Sequence, residues 1–325
     1  MTISVLGAIV YDEIITYQGE RRGSFGGILY NVAALSSIVP PGTRIRPVCN
    51  VGEDKYDEVI SILSSYQEAE LSAVKPAPGH ITHAKLHYTS MTWRDEIVLY
   101  PMRPLTGERV GAAAGSDAVL VNFVNGSELD LETFAALRKV TDAPIHVDIH
   151  SKVARFDEQG RKSIVGLPEW RDWVKHAHSV QMNEFECENV VGRKLRTETD
   201  YAHAGLEILQ AGPAAVLITL GPLGSVAVYR KDGQAYYDAC PAAPIEKVVD
   251  TTGCGDSFSA GFLCNYLECR DPLLANAAAN IVAGTNCETH GIGRMEKARN
   301  ALEQIPRAFP DLARKIASGW PGNPL

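Results

Sequence analysis

Short aliphatic runs alternate with helix-length amphipathic stretches from one end of this chain to the other, and no other feature restricts its fold as strongly. Candidate strands fall at residues 3–6, 48–51, 118–123, 145–149, 179–182 and 215–220, several of them nearly continuous in Val, Ile and Leu. Runs of that kind fit strands covered on both faces, as parallel strands are. Helical stretches lie between them at 31–38, 56–65, 131–140, 199–210 and 257–269. The alternation predicts an α/β fold built on a doubly wound, mostly parallel sheet. No internal repeat, low-complexity tract or linker divides the chain, so residues 1–325 are read as a single domain. Two segments break the rhythm. Residues 9–18 and 81–100 are strand-like but polar at alternate positions, as in a sheet with one wet face; an edge extension of the main sheet or a separate small sheet would satisfy them. The Pro- and Gly-rich end, 320–324, reads as a frayed tail.

The chemistry concentrates in the run Val249-Asp250-Thr251-Thr252-Gly253-Cys254-Gly255-Asp256-Ser257-Phe258-Ser259-Ala260-Gly261-Phe262. Two glycines flank one small residue, so backbone amides can point into a concavity without obstruction. A helical pattern follows at once, with Phe258, Phe262, Leu263, Tyr266 and Leu267 on one face. The turn therefore sits at a helix N-terminus, where unpaired N–H groups and the macrodipole favour an anion. Asp256 places a carboxylate at the rim of that site. Amides that steady a migrating charge beside a fixed base suit phosphoryl transfer to a hydroxyl. An ordinary capped helix start would use the same residue types.

Other constellations are weaker alone. Gly26 and Gly27 open a helix, with Asn31 offering donor and acceptor groups to hydroxyls. Asp12 follows the first strand, and a carboxylate there could grip vicinal hydroxyls. Asn183 and Glu186 read equally well as a helix cap and its reciprocal partner. Thr219, Gly221 and Gly224 lie in a tight turn at the end of a buried strand, where open α/β sheets bind ligands. A small-residue helix around Asn276 and Asn280 could lie against a flat adenine.

In order along the chain, these motifs resemble those of the ribokinase-like (PfkB) family of carbohydrate and nucleoside kinases. The signature D-T-T-G-C-G-D-x-F-x-A-G carries most of the likeness, supported by G-G-x-x-x-N-x-A, N-x-x-E and T-x-G-x-x-G-S. The resemblance implies a Rossmann-like core with a small β-sheet lid formed from about 9–18 and 81–100. It implies ATP and Mg²⁺ as cofactors and a small sugar, sugar acid or nucleoside as acceptor. Asp256 would be the general base, and the Gly253, Cys254 and Gly255 amides the phosphate cradle. Asp12, Gly26, Gly27 and Asn31 would hold the acceptor. Asn183, Thr219, Gly221, Gly224 and Asn276 would hold the nucleotide, with Asn280 in place of Asn276 under a shifted alignment. Glu186 and Asn183 would act on Mg²⁺ through water, and Asp250 with the Thr252 carbonyl correspond to positions that bind K⁺ in many relatives. Lids in the family often pair into homodimers. An aromatic clamp would favour a nucleoside, with Phe25, Tyr30 and Trp93 as candidates. A non-catalytic sugar- or nucleotide-binding protein would be expected to lack the base or the glycine turn, and this chain keeps both. The segment Val51-Gly52-Glu53-Asp54 resembles a family V-G-x-D element but has Asp57 where a glycine often stands, and is read as structural.

Charge and composition narrow the field. With 31 Lys and Arg against 39 Asp and Glu, the net charge is −8, ill suited to nucleic acid or an anionic membrane. No apolar run reaches the roughly 20 residues of a membrane span. The opening residues read as a first strand rather than a signal peptide. The 7 cysteines are scattered without a C-x-x-C pair, which fits a reducing, cytoplasmic setting and argues against zinc. P-loop, dinucleotide-binding, H-E-x-x-H and G-x-S-x-G signatures are absent. Cys254 could be a thiol activated by its helix end, or simply small enough to fit.

Overall fold

The structure, a computed structural model, describes residues 1–16, 18–89, 94–293 and 295–325. Trp93 and parts of the two half-polar segments lie outside the described residues. In chain order the first half contains β1 (Thr2–Leu6), β2 (Ile9–Ile15), β3 (Arg21–Gly27), α1 (Ile28–Ile38), β4 (Arg44–Gly52), α2 (Tyr56–Ser64), β5 (Val74–Ala77), β6 (Thr82–Tyr88) and β7 (Arg94–Leu99). Next come α3 (Gly107–Val110), β8 (Ala118–Asn122), α4 (Leu131–Val140), β9 (Ile145–Asp148), β10 (Ala154–Phe156), β11 (Lys162–Ile164) and α5 (Trp170–Val174). The remainder is β12 (Ser179–Asn183), α6 (Glu184–Val191), α7 (Glu198–Leu209), β13 (Ala215–Thr219), β14 (Ser225–Lys231), β15 (Gln234–Cys240), α8 (Cys254–Cys269), α9 (Pro272–Cys287), α10 (Ala301–Ala308), α11 (Pro310–Ala317) and β16 (Asn323–Pro324).

The main sheet has ten strands in the order β16-β15-β14-β13-β12-β9-β8-β1-β4-β5. Neighbours from β5 through β13 pair parallel, and β14 to β16 add an antiparallel edge. The aliphatic strands serve both faces. Ala118 and Leu120 of β8 join the core beneath α1, α2 and α8 to α11, while Val119 and Val121 join the core beneath α4 to α7. Ala215 and Leu217 of β13 alternate with Val216 and Ile218 in the same way. Helix α8 buries Phe258, Ala260, Phe262 and Leu263; each large side chain contributes about 1.5–3 kcal/mol by leaving water.

The half-polar segments form a separate four-stranded sheet, β3-β2-β6-β7, and not an edge of the main one. Strand β3 was not foreseen: Arg21-Arg22-Gly23-Ser24-Phe25-Gly26-Gly27 is rich in charge and glycine, and only pairing with β2 makes it extended. The small sheet is tied to the core at its base. Asp54 accepts a hydrogen bond from the Ile81 backbone N–H at 2.8 Å, and a Cβ on Gly52 would meet that same nitrogen at 2.0 Å. The V-G-x-D segment thus anchors the entry to β6. On the far side, the β10–β11 ribbon meets β7 through Val98 N–H to Gly160 O and an ion pair between Lys162 and Glu96 at 2.9 Å.

The C-terminus corrects the expectation of a frayed tail. Residues Asn323 and Pro324 pair with Tyr237 and Tyr236, the Tyr229 hydroxyl donates to Pro321 O at 2.6 Å, and the Leu325 N–H donates to Ala235 O. Proline and glycine there do not fray the chain, because β15 offers an unpaired edge to receive it. Deleting residues 321–325 is expected to lower Tm by about 1–2 °C, the shift that roughly 1 kcal/mol produces in a single domain of this length, since the entropy of unfolding grows with the number of residues. Unchanged thermal unfolding of the truncated chain would show that the docked tail contributes nothing.

Candidate active site

The carboxyl ends of the parallel strands open into one cleft of about 330 Å³, within the range typical of ligand sites. Asp148, Asn183 and Thr219 end β9, β12 and β13 at its floor, and Val10, Asp12, Ala84, Leu86, Glu96 and Val98 of the small sheet form its roof. The turn Thr251–Asp256 closes one side.

That turn starts α8. Gly253 is left-handed, with φ 79°, and an added Cβ would lie 2.2 Å from the Tyr30 ring, so glycine is required on both counts. The amides of Gly253 and Gly255 find no acceptor among the described residues, while Cys254 N–H donates within the turn to Thr251 O at 3.3 Å. A helix N-terminus leaves such donors for a ligand. Asp256 stands in the first turn of α8, 9% exposed and facing the cleft. Its Oδ1 accepts from Asn122 Nδ2 at 2.5 Å. Burial pushes its carboxyl up to about 6, and the Asn122 bond pulls the other way.

The Gly26-Gly27 pair permits close approach, and only Gly27 of the two lines the cleft. A Cβ on Gly26 would meet Asp12 Oδ2 at 2.5 Å, and Gly27, at φ 65°, packs against the Ala8 carbonyl. Asp12 and Gly27 line the cleft, but Asn31 does not. Asn31 is fully buried, donates to the Asp256 main-chain carbonyl at 2.8 Å and accepts from Asn122 at 3.0 Å. It supports the turn from behind.

Three polar residues that the sequence reading did not single out complete the floor. Asp148 is buried, and its Oδ2 lies 3.2 Å from Gln181 Nε2 and 3.0 Å from Ser259 Oγ. Gln181 also donates to Gly255 O at 3.0 Å, bracing the turn from β12. Each of these two ends or nearly ends an aliphatic strand, the one sequence signal that could have found them. His150, just past β9, lines the cleft with φ 39°. Burial, with the negative charges of Glu186 and Asp256, pushes the Asp148 carboxyl well up.

Asn183 and Glu186 form a reciprocal cap at the start of α6. Asn183 N–H and Nδ2 donate to the two Glu186 oxygens at 2.8 Å each, and Glu186 N–H donates back to Asn183 Oδ1. Burial lifts the Glu186 carboxyl to about 7. Among the described residues no group of three or more His, Cys, Asp or Glu could hold a metal unaided. Mg²⁺ needs no such cage, since it keeps several waters and takes phosphate oxygens. An oxygen-only pair with both carboxylate oxygens already engaged fits Mg²⁺ held through water.

In the turn after β13, Gly221 and Gly224 have φ 55° and 98°, and a Cβ on Gly224 would lie 2.1 Å from Cys240 O. Thr219 lines the cleft, but Asn276 and Asn280 are buried beneath the turn, both bonded to Ser225 Oγ. The Asp250 carboxylate accepts from Thr252 N–H, and the Thr252 carbonyl from Asn286 Nδ2 at 2.9 Å. Cys254 Sγ contacts Cys287 Sγ at 2.7 Å; that contact and burial push the Cys254 thiol up, opposite to the activation expected at a helix end. Of the aromatic candidates, Phe25 packs edge-on against Tyr11 and Tyr30 against Gly253.

The family model for pfkB family carbohydrate kinases matches residues 110–299, more than half of the chain. A cytidine kinase from Thermococcus kodakarensis is 26% identical over 270 residues, covering 82% of this chain and 88% of its own. Burkholderia thailandensis nucleoside kinase in complex with inosine superposes with a TM-score of 0.72 at 19% identity, covering 95% of this chain and 99% of that one. Arabidopsis thaliana ribokinase complexed with ribose and ATP gives 0.70 at 18%, covering 93% and 98%. The chain therefore belongs to the pfkB family of carbohydrate kinases, has the ribokinase-like fold and is a phosphotransferase of the carbohydrate and nucleoside kinase kind.

The buried acid has a cost in stability that can be read directly. A carboxyl raised to about 6 from an unfolded value near 3.9 stabilises the fold fully below the lower value and loses that contribution as pH rises through the upper one. The Asp256→Asn variant is expected to melt a few degrees above wild type at pH 8, with the gap closing by about pH 4. The difference is on the order of 2–3 kcal/mol. A gap independent of pH would contradict the burial account.

Proposed function

We propose that this chain transfers the γ-phosphoryl group of ATP to a hydroxyl of an uncharged small sugar, with Asp256 as general base. The observation that carries the reading is the Asp256 carboxylate facing the cleft from the first turn of α8, beside the donors of the glycine turn. The acceptor oxygen attacks the γ-phosphorus in line as the bond to the β–γ bridging oxygen breaks and ADP departs. The hydroxyl proton passes to Asp256 Oδ2, because Oδ1 already accepts from Asn122. The Gly253 and Gly255 amides meet the charge on the transferring group, and the Cys254 amide shares its hydrogen between turn and phosphate. Asp12 orients the sugar hydroxyls, and the glycines at 26 and 27 let it approach. Asn31 acts from behind the turn rather than on the sugar. Thr219, Gly221 and Gly224 carry the nucleotide. Bound Mg²⁺, held through water by Asn183 and Glu186, would neutralise phosphate oxygens. The small sheet serves as a lid whose closure excludes water.

Charge selects the acceptor. Asp12, Glu96, Asp148, Glu186 and Asp256 line the cleft, and no Lys or Arg does among the described residues. A sugar acid or sugar phosphate would meet like charge, so the sugar-acid expectation loses its support. A nucleoside remains the second reading, favoured by the likeness to the cytidine kinase over most of both chains. Phe25 packs edge-on against Tyr11, while Tyr30 lines the cleft beside Gly253. The ranking of the simple sugar first therefore rests on the aliphatic roof of Val10, Ala84, Leu86 and Val98, which suits one face of a small ring.

Two outcomes test this reading. Asp256→Asn should lower kcat by about 10²–10⁴-fold in a coupled ADP-release assay while the fold persists; full activity would remove the base. In a panel pairing neutral sugars with their phosphorylated or oxidised counterparts, kcat/KM for the anionic member should be at least about tenfold lower, equivalent to about 1.4 kcal/mol. Preference for the anionic members would overturn the charge argument and leave the kinase assignment standing.

A further inference from the structure

We infer that Asn122 is a positioning residue for phosphoryl transfer, fixing the Asp256 carboxylate so that Oδ2 alone is presented to the acceptor hydroxyl. The inference rests on Asp256 being the general base. Asn122 is the last residue of β8 and is fully buried below the cleft. Its Nδ2 lies 2.5 Å from Asp256 Oδ1 and 3.0 Å from Asn31 Oδ1, and Asn31 Nδ2 lies 2.8 Å from the Asp256 main-chain oxygen.

These orientations follow from chemistry. A peptide carbonyl only accepts, so Asn31 must turn its NH₂ group toward Asp256. Asn31 Oδ1 then faces Asn122 and needs a donor, which only the Asn122 NH₂ can supply. The second hydrogen of that NH₂ falls to Asp256 Oδ1. Flipping either amide would set oxygen against oxygen or nitrogen against nitrogen. The loop closes on one residue, with the Asp256 main chain held from α1 and its side chain from β8.

Ordinary core support would not need this arrangement. Asn122 Oδ1 has no hydrogen-bond partner among the described residues. A buried, half-satisfied amide destabilises where an aliphatic side chain would not. Its use lies in what the other half does to Asp256.

The charged and titratable groups around Asp256 are Asp148 at the end of β9, Glu186 on α6, His150, Asp12 on β2, and Glu96 on β7 paired with Lys162 on β11. Without Asn122, burial favours the protonated acid and nothing on β8 opposes it.

The test uses the full chain with Asn122→Leu and Asn122→Ser, measuring kcat against pH with ATP and the best acceptor. For Asn122→Leu, kcat should fall about 10–100-fold, as expected for losing a hydrogen bond to a charged group, with KM for ATP within about twofold. The acid limb should move up by about one pH unit. Asn122→Ser keeps a donor and admits water, so it should recover part of both. In the Asp256→Asn background, Asn122→Leu should add no further loss. A folded Asn122→Leu enzyme with wild-type kcat and acid limb overturns the proposal, as does an equal loss in the Asp256→Asn background. Should Asn122→Leu fail to fold, Asn122→Ser decides: lower kcat with an unmoved acid limb rejects the role. Wild-type turnover by Asp256→Asn would instead sink the base assignment itself, whereas an inactive Asp256→Asn beside a wild-type-like Asn122→Leu sinks only the positioning.

Discussion

A carboxylate buried at the N-terminus of a buried helix is the constraint around which this molecule is arranged. Taking Asp256 out of water is unfavourable unless donors and dipoles replace the solvent. The surrounding elements supply the replacement. Helix α8 offers its positive end, β8 offers the Asn122 amide, and α1 holds the main chain through Asn31. The glycine turn can form only because Gly253 accepts a left-handed backbone under the Tyr30 ring. Fold and chemistry therefore meet in one segment, and the parallel sheet matters chiefly because its strand ends deliver polar side chains there.

Carboxyls raised by burial recur along the same floor: Asp148, Glu186 and Asp256 are all pushed toward the neutral form in the protein alone. Such a cluster is poor for stability and well matched to ligands that bring Mg²⁺ and leave a proton behind. The roof contributes differently. Val10, Ala84, Leu86 and Val98 present aliphatic surface, while Asp12 and Glu96 supply the polar contacts. A ring with one apolar face and several hydroxyls is complementary to that surface.

Much of the fold was legible because parallel strands are buried on both sides and so write themselves as continuous Val, Ile and Leu. Strands β1, β8, β9, β12 and β13 all lie within a residue or two of their expected bounds, and α4 matches at both ends. Helix α8 begins three residues earlier than its apolar pattern suggested, since glycine and cysteine carry no periodicity. Strands β3, β10, β11 and β16 are short, polar or glycine-rich, and exist only through their partners. The small sheet was visible as alternation, and its separation from the main sheet came from the family resemblance rather than from the alternation itself. At the site, the glycine signature and Asp256 announced themselves by spacing. Asn122, Asp148 and Gln181 did not, because a single polar residue at a strand end has no local pattern, and only the strand order brings it beneath α8. Asn31 shows the converse, a motif residue whose amide is turned into the support rather than the cleft.

The central claim is that the α8 turn holds the transferring phosphoryl group while Asp256 faces the acceptor oxygen. A crystal structure of the chain with ADP, Mg²⁺, aluminium fluoride and a turned-over acceptor tests it most directly. The account requires the fluoride group within about 3 Å of the Gly253 and Gly255 amides, and the acceptor oxygen within about 3 Å of Asp256 Oδ2. A phosphoryl mimic seated away from the turn, or an acceptor oxygen bonded to Asp148 instead of Asp256, would contradict it.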